Sequence, residues 1–271
     1  MSNGAKTAIA IAIAVALFYG GWRVLLHKSS LVPAIVTPQT DVHQEFSDAL
    51  GARIYRATHE PHGNRSARPR LIALTFDDGP YPIYTPMLLD MLHDLNVPAT
   101  FFLIGDDAMQ WPELTRRIEA GGEEIGDHTL THPDLDLETP DRVRMEILRG
   151  RDVLWALSHD PAVRLYMRPP HGRYTERTLQ IAQALGYDVV LWTDDSGDWR
   201  TVSVAALQRH LLAHATAPEI VLLHSGKLAT IEALPEVVAH FKRAGYRFVT
   251  VGELLQSVAT ADLNHPLRRA V

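Results

Sequence analysis

Short apolar runs alternate with amphipathic helical patterns along residues 71–257. Each run predicts a buried strand, and the runs lie at residues 71–75, 98–103, 123–127, 164–167, 188–192, 219–223 and 247–250. The helical patterns lie at residues 85–95, 112–121, 139–158, 175–185, 203–215, 230–243 and 251–257, and three of them have a predicted cap, at Thr139, Thr175 and Ser203. Strands alternating with helices predict a parallel sheet, and seven such units in about 190 residues favour a small α/β barrel over two stacked domains.

The first 28 residues have a different pattern and predict a membrane-targeting helix. Residues 7–22, TAIAIAIAVALFYGGW, carry no charge, and Arg23 precedes a short apolar stretch. Because a span needs about 20 mainly apolar residues, an uncleaved anchor requires Arg23 to reach the membrane interface. A cleaved signal peptide is the alternative, but the following WRVLLHKSS contains no clear cleavage site. We favour the anchor, and the flanking charges leave its orientation open.

The remaining boundaries follow from local composition. Residues 29–68 begin with the proline-containing stretch SSLVPAIVTPQT and predict a tether. Within it, residues 42–54 have helical spacing after a cap at Thr40 or Asp41, which predicts a short amphipathic helix. Residues 69–258 form the predicted main domain, and residues 259–271 form a C-terminal tail.

Composition narrows the class of protein. The chain has 271 residues, 46% of them hydrophobic, which is enough for one sizeable core. Its formal net charge is -6 and it has no long run of Lys and Arg, so we expect no nucleic-acid partner. It has no cysteine, which excludes disulfides and thiolate metal sites. We expect a monomer.

Polar side chains with catalytic chemistry follow five of the seven predicted strands. In chain order they are Asp77 and Asp78, His128 and His132, Arg168, Asp195 and Asp198, and His224. Because the active sites of parallel barrels lie at the carboxyl ends of the strands, we expect these side chains to converge on one face. Each of them alone would be interpreted as a turn former, an ordinary ion pair or a core residue. Their common position favours an active site.

The segment HTLTH, residues 128–132, predicts a divalent metal site. Pro133 disfavours helical geometry at His132, so we expect a tight loop or a broken turn to hold the two imidazoles close together. Asp78 is the predicted third ligand, and two imidazoles with one carboxylate leave coordination positions open, as in catalytic sites. Nitrogen and oxygen ligands without sulfur favour zinc, with cobalt, manganese, nickel and iron as alternatives.

Asp77 is predicted to act beside the metal rather than to bind it. Successive side chains that leave a strand point to opposite sides, so Asp77 and Asp78 need not share a role. A carboxylate beside a metal can take a proton from water if it stays ionised, and Arg168 is predicted to hold its pKa down. His224 is the predicted general acid for the leaving group, oriented by Asp198.

Five motifs in order resemble those of the polysaccharide deacetylase family, carbohydrate esterase family four, across residues 70–257. They are TFDDGP at 75–80, HTLTH at 128–132, RPPHG at 168–172, DSGDW at 195–199 and VLLH at 221–224. The resemblance implies a distorted (β/α)7 barrel, which agrees with the seven strand–helix units. By motif position it also implies Asp77 as the base and Arg168 as the partner that holds the base. The implied metal ligands are Asp78, His128 and His132. His224 is implied to be the acid, supported by Asp198.

The resemblance adds substrate contacts and also has departures. Trp199 and Leu222 are implied to form the apolar slot for the acetyl methyl group, and Asp195 is assigned to substrate binding. His171 stands where the family usually has Tyr, a position whose backbone N–H is implied to bind the oxyanion, so we expect a changed subsite. GGEEIGDH replaces the usual GHEIGNH and adds negative charge, and Ser225 replaces the common Asp after the acid.

The implied reaction is metal-assisted removal of N-acetyl groups from an acetylated amino-sugar glycan, peptidoglycan or chitin-like, with release of acetate. An O-acetyl polysaccharide esterase is the alternative within the hydrolases, and a membrane-tethered glycan-binding pseudoenzyme is the alternative outside them. Because such glycans lie outside the cytoplasm, we expect the N-terminal segment to anchor an extracytoplasmic catalytic domain. If the segment is cleaved, that domain would be secreted or periplasmic.

Overall fold

A computed structural model describes residues 54–55, 70–200, 202–213 and 219–263 of the chain. The predicted anchor at residues 1–28 and most of the predicted tether lie outside these ranges. Within them, no helix combines the length and the apolar character that crossing a membrane requires.

The strands of the described residues belong to one parallel sheet. They are β1 (Ile54–Tyr55), β2 (Leu71–Asp77), β3 (Ala99–Leu103), β4 (Glu124–Asp127), β5 (Tyr166–Met167), β6 (Asp188–Val190), β7 (Asp194–Asp195), β8 (Glu219–His224) and β9 (Arg247–Phe248). Their order is β1-β6-β5-β4-β3-β2-β8-β7, and β9 pairs with the start of β2. The sheet is a half-barrel that is consistent with the expected distorted (β/α) barrel.

Each of the seven predicted apolar runs contains an observed strand, and β1 and β7 were not predicted. β6 and β7 are successive parts of one segment, residues 188–195. The Cα of Val189 pairs with β5, whereas that of Asp195 pairs with Leu222 of β8. This segment therefore contacts two separate parts of the sheet and places residues 195–199 beside the end of β8. Ile54, at the end of the predicted helix 42–54, lies in β1 instead, and the rest of that prediction lies outside the described residues.

The helices pack around the sheet. They are α1 (Tyr84–Leu95), α2 (Gly105–Gln110), α3 (Pro112–Ala120), α4 (Pro140–Leu157), α5 (Glu176–Ala184), α6 (Val204–Ala213), α7 (Leu228–Arg243) and α8 (Val251–Leu263), with 3₁₀ turns at Pro161–Arg164 and Pro170–Gly172. The six-residue α2 was not predicted, and α8 continues past the predicted start of the tail at residue 259. The predicted caps are confirmed, because the hydroxyls of Thr139, Thr175 and Ser203 each accept a backbone N–H from the first turn.

β2 explains why the sequence shows an apolar run rather than an alternating pattern. All seven of its residues are buried, because both faces of this central strand are covered. Ile72, Leu74 and Phe76 pack into the largest core cluster, whereas Leu71 and Ala73 pack into a second cluster with residues of α8. Since side chains alternate along a strand, Asp77 continues the face of Leu71 and Ala73.

Candidate active site

The predicted polar residues lie together at the carboxyl ends of the strands. Asp77 ends β2 and His224 ends β8, and the two residues are direct neighbours in the strand register. His128 follows β4, and Arg168 follows β5, which pairs with β4. Parallel strands place all their carboxyl ends at one edge, so residues far apart in the chain meet there.

A His–His–Asp set lies at the centre of this edge. Asp78, His128 and His132 each offer one ligand atom, and these atoms all lie within 4.8 Å of one another. Nε2 of His132 lies 3.3 Å from Oδ1 of Asp78, and Nε2 of His128 lies 3.8 Å from the same oxygen. These three residues are the ones that the sequence predicted as ligands.

The surroundings of both imidazoles favour the neutral form, which is the form that binds a metal. Nδ1 of His128 lies 2.8 Å from the backbone carbonyl of Arg168, and because a carbonyl only accepts, Nδ1 carries the proton and Nε2 keeps its lone pair. Burial lowers the pKa of His128 to about 3, and burial also lowers the pKa of His132. The donor set therefore fits a divalent cation that accepts two nitrogens and one oxygen, zinc among them.

The HTLTH segment is a tight loop, as Pro133 predicted. Thr129 and His132 have left-handed backbone conformations, with φ of 70° and 60°. Such conformations cost energy for residues other than glycine, so they persist where the surroundings fix them. Here Oδ1 of Asp127 accepts the N–H of Thr129 at 2.8 Å, and the hydroxyl of Thr129 accepts the N–H of His132 at 3.1 Å.

Asp77 is held between the metal-ligand set and a buried arginine. Its Oδ2 lies 3.7 Å from Nε2 of His128, and its Oδ1 accepts a hydrogen bond of 2.5 Å from Nη1 of Arg168. Arg168 is fully buried, and its guanidinium lies 4.1 Å from the centre of the Phe102 ring. A planar, always charged group in this position fixes both the location and the orientation of the carboxylate.

The net pKa of Asp77 differs from the sequence expectation. Burial raises the pKa of Asp77, and the charge and hydrogen bond of Arg168 lower it without cancelling that effect. Arg168 lowers the pKa of Asp77 as expected, but the net pKa is raised, because the sequence does not reveal how deeply the carboxyl is buried. A nearby divalent cation acts in the same direction as Arg168 and favours the ionised form.

His224 and Asp198 form a hydrogen-bonded dyad at the end of β8, the strand that lies next to Asp77 in the sheet. Oδ1 of Asp198 lies 2.7 Å from Nδ1 of His224, and Oδ2 accepts the backbone N–H of His224 at 2.9 Å and the hydroxyl of Thr230 at 2.6 Å. Burial acts to lower the pKa of His224, but the Asp198 hydrogen bond and the surrounding carboxylates outweigh it, so that pKa is raised. The dyad therefore favours a protonated imidazole with Nε2 left for the substrate.

The predicted substrate-binding residues differ in their contacts and in their exposure to solvent. The ring of His171 lies edge-on to that of His132 with 4.6 Å between ring centres, and its Nδ1 lies 2.7 Å from Oδ1 of Asp134. Trp199 is 48% exposed, and Leu222 is buried on β8. The apolar slot that these two residues were predicted to form stays a prediction.

Asp195 has a structural role that is typical of turns. Its Oδ1 accepts the backbone N–H of Gly197 at 3.0 Å, which is an Asx turn two residues long. Its assignment to substrate binding stays a prediction.

Several supporting residues were missed by the sequence analysis. Ser225 directs its hydroxyl to the backbone carbonyls of Asp77 and Asp78, both at 3.2 Å, and thereby ties the carboxylate pair to β8. Arg173 pairs with Asp136 through two hydrogen bonds of 3.0 and 2.7 Å, which connects the loop after His132 to the loop after Arg168. The sequence signal was their position one to four residues beyond a motif, which by itself does not distinguish them from surface residues.

Comparison with known proteins agrees with this geometry. Residues 64–190 match the family model of polysaccharide deacetylases. A peptidoglycan-N-acetylglucosamine deacetylase of Bacillus cereus is 37% identical over 192 residues, which cover 69% of this chain and 89% of that protein. A chitooligosaccharide deacetylase of Bradyrhizobium sp. is 35% identical over 199 residues, 68% of this chain and 90% of that protein. The crystal structure of the Bc1960 peptidoglycan N-acetylglucosamine deacetylase has a TM-score of 0.65 at 34% identity, over 69% of this chain and 88% of that chain. The chain belongs to the polysaccharide deacetylase family, carbohydrate esterase family four.

Proposed function

We propose that the protein is a metal-dependent hydrolase that removes N-acetyl groups from an amino-sugar polysaccharide or oligosaccharide, peptidoglycan or chitin-like, and releases acetate. The observation that carries the proposal is the position of Asp77, 3.7 Å from Nε2 of His128 and 2.5 Å from Nη1 of Arg168. A buried carboxylate held beside a set of metal ligands, yet separate from it, is suited to take a proton from water. The named substrates of the relatives support the substrate class.

Asp78, His128 and His132 are the residues that would hold the metal. A divalent cation there, for which zinc is our first choice, would polarise the acetyl carbonyl and make the attacking water more acidic. Asp77 takes the proton of that water, and Arg168 keeps the carboxylate in place while it does so.

Residues of the loop after Arg168 and at the end of β8 stabilise the oxyanion and protonate the leaving group. The backbone N–H of His171 donates to the oxygen that gains negative charge as the acetyl carbon becomes tetrahedral. His224 then gives its proton to the departing amine from Nε2, because Asp198 holds Nδ1. The products are the free amino sugar and acetate.

The dyad favours amide hydrolysis over the O-acetyl esterase alternative. An amine leaves only when it is protonated, whereas an alkoxide leaves more easily, so an amidase depends more strongly on a general acid. The raised pKa of His224 keeps that acid protonated at higher pH. The side chains that we propose as base, metal ligands and acid are all present at this edge of the sheet, and a glycan-binding pseudoenzyme does not need them.

The direct test measures acetate release from N-acetylated peptidoglycan, chitooligosaccharides and acetylated xylan, under one metal condition. We expect activity on the N-acetylated glycans and a loss of about 10²- to 10⁴-fold for Asp77→Asn. Asp90→Asn, which changes an exposed partner of Arg117, is the matched control and should keep full activity. Full activity of Asp77→Asn contradicts the assigned base, preference for xylan supports the esterase, and glycan binding without hydrolysis supports the pseudoenzyme.

The cellular location is a separate proposal. Residues 1–28 are proposed to anchor the catalytic domain on the extracytoplasmic side, since the proposed substrates lie there. Addition of a protease to intact spheroplasts should degrade the domain, and N-terminal sequencing of the mature protein separates an anchor from a cleaved signal. Protection from protease in intact spheroplasts combined with degradation after their lysis would contradict this location.

A further inference from the structure

We propose that Glu146, on helix α4, is a positioning residue for the loop His128–His132 and thereby sets the affinity of the metal site. The inference rests on the proposed metal-dependent function. Glu146 makes no contact with the three ligand side chains in the described hydrogen bonds or ion pairs, so its role would be exerted through the backbone of the loop.

Glu146 holds the middle of the loop with both its side chain and its backbone. Its Oε2 accepts the backbone N–H of Thr131 at 2.8 Å, and its Oε1 lies 3.0 Å from the hydroxyl of Thr131. Its backbone carbonyl accepts the N–H of Leu130 at 3.0 Å. The Glu146 side chain is fully buried, so its carboxylate depends on these bonds rather than on water.

Two further residues of α4 complete the contact surface. Nη2 of Arg142, one helical turn before Glu146, lies 2.6 Å from Oε1 and neutralises the buried carboxylate. Gly150, one turn after it, lies so close to the loop that an added Cβ would be 2.6 Å from Oδ1 of Asp127 and 2.8 Å from the backbone of Thr129. Residues at this spacing share one face of a helix, and here that face carries the metal loop.

The position of Thr131 explains how its hydrogen bonds to Glu146 would affect the metal site. Thr131 directly precedes His132, whose left-handed backbone conformation directs the ring toward Asp78, with 3.3 Å between Nε2 and Oδ1. The carbonyls on the other side of the loop are also fixed, because α2 donates the N–H of Gly105 to Thr129. A loosened Thr131 would therefore move His132, while His128 stays attached to β4.

The test is the binding of Zn²⁺ to the chelator-treated full chain, measured by calorimetry. In Glu146→Gln the amide nitrogen cannot accept, so one donor of Thr131 loses its partner, and we expect the Zn²⁺ dissociation constant to rise about 10- to 100-fold. Thr131→Val removes only the hydroxyl and should weaken binding in the same direction, whereas Thr131→Ser keeps the hydroxyl and should bind like the wild type. These two variants carry the test if Glu146→Gln does not fold.

Glu124→Gln is the matched control. Glu124 is a half-buried glutamate that also accepts from a threonine hydroxyl and from a backbone N–H, those of Thr100 and Gly252, but it does not contact the loop. It should lose stability in excess chelator, measured by urea unfolding, and bind Zn²⁺ within about twofold of the wild type.

The outcomes separate this inference from the proposed function. Unchanged Zn²⁺ binding in both Glu146→Gln and Thr131→Val overturns the positioning role, even if the wild type binds the metal and hydrolyses its substrate. Equal weakening in Glu124→Gln overturns it as well, because general destabilisation would then explain the loss. A wild-type chain that binds neither Zn²⁺ nor Co²⁺ overturns the metal-dependent function together with the inference.

Discussion

Nη1 of Arg168 lies 2.5 Å from Oδ1 of Asp77, although 91 positions separate the two residues in the chain. The same guanidinium donates to the hydroxyl of Thr75 and to the backbone carbonyls of Val190 and Leu191. Every nitrogen of the arginine therefore has a partner, and the proposed base is tied to two separate strand segments. Arg168 thus fixes the carboxylate of Asp77, whose backbone is held by its strand neighbours.

Arg168→Lys should lower activity strongly although it keeps the charge. A lysine cannot reproduce the planar set of donors, and its three N–H groups leave at least one of the four buried acceptors without a partner. We expect kcat for acetate release to fall by about 100-fold or more and the free energy of unfolding to fall by about 1 to 3 kcal/mol. Arg117→Lys, at an exposed ion pair with Asp90, is the control and should change stability by less than about 1 kcal/mol. Near wild-type kcat in Arg168→Lys would show that charge alone suffices.

Thr230→Val should weaken the acid without moving the metal. The change removes the 2.6 Å hydrogen bond to Oδ2 of Asp198 and leaves that carboxylate with its two bonds from His224. A net loss of about 0.5 to 1.5 kcal/mol corresponds to a roughly 2- to 12-fold lower kcat. The measurement is kcat and KM for an N-acetylated oligosaccharide, with Thr230→Ser as the variant that restores the hydroxyl. A rise in KM with unchanged kcat would assign Thr230 to substrate binding instead.

Metal removal should distinguish the ligand from the base. Dialysis against a strong chelator should abolish hydrolysis, and added Zn²⁺ or Co²⁺ should restore it, because the cation supplies the polarisation of the carbonyl. Asp78→Asn should bind the cation much more weakly, whereas Asp77→Asn should keep most of the affinity and stay inactive. Metal content by elemental analysis and acetate release are measured on the same samples. A reversed pattern would exchange the two roles.

Two adjacent glutamates should contribute less to stability as the pH rises toward neutrality. Burial raises the pKa of Glu123 and that of Glu124 from 4.5 to about 7. A carboxyl whose pKa is raised on folding contributes full stability below pH 4.5, and this contribution is lost as the pH rises through about 7. A shift of this size corresponds to at most roughly 3 kcal/mol for each group.

Glu124→Gln is the variant that tests the pH dependence. Between pH 4.5 and 7 its urea-unfolding free energy should fall less, or rise more, than that of the wild type, since glutamine does not titrate. Glu253→Gln changes an exposed glutamate of α8 and should keep the wild-type pH profile. An unchanged slope in Glu124→Gln would place the origin of the pH dependence elsewhere.

Local pattern predicted most of the fold and failed where an element was short or polar. The run 71–75 reads as a strand because both faces of β2 are buried, so nearly every position is apolar. β7 was missed because its two residues, Asp194 and Asp195, are polar and form a strand only through pairing with β8. α2 was missed because six residues contain too little periodicity to identify a helix.

The sequence by itself determined which side chains are available and which of them lie next to strand ends. It placed Asp77 and Asp78 after one buried strand and the two histidines of HTLTH around a loop that Pro133 keeps non-helical. These predictions succeeded because strand burial, backbone geometry and proline chemistry act over a few neighbouring residues.

Tertiary structure alone decided how those groups are held and how they titrate. Glu146 and Thr230 lie in helices with no motif around them, and they reach the site because α4 and α7 pack against the strand ends. The raised pKa of Asp77 reverses the expectation from its arginine partner, since burial is the larger effect. Burial and long-range hydrogen bonds depend on the whole fold bringing distant segments together, and a linear pattern carries no measure of that distance.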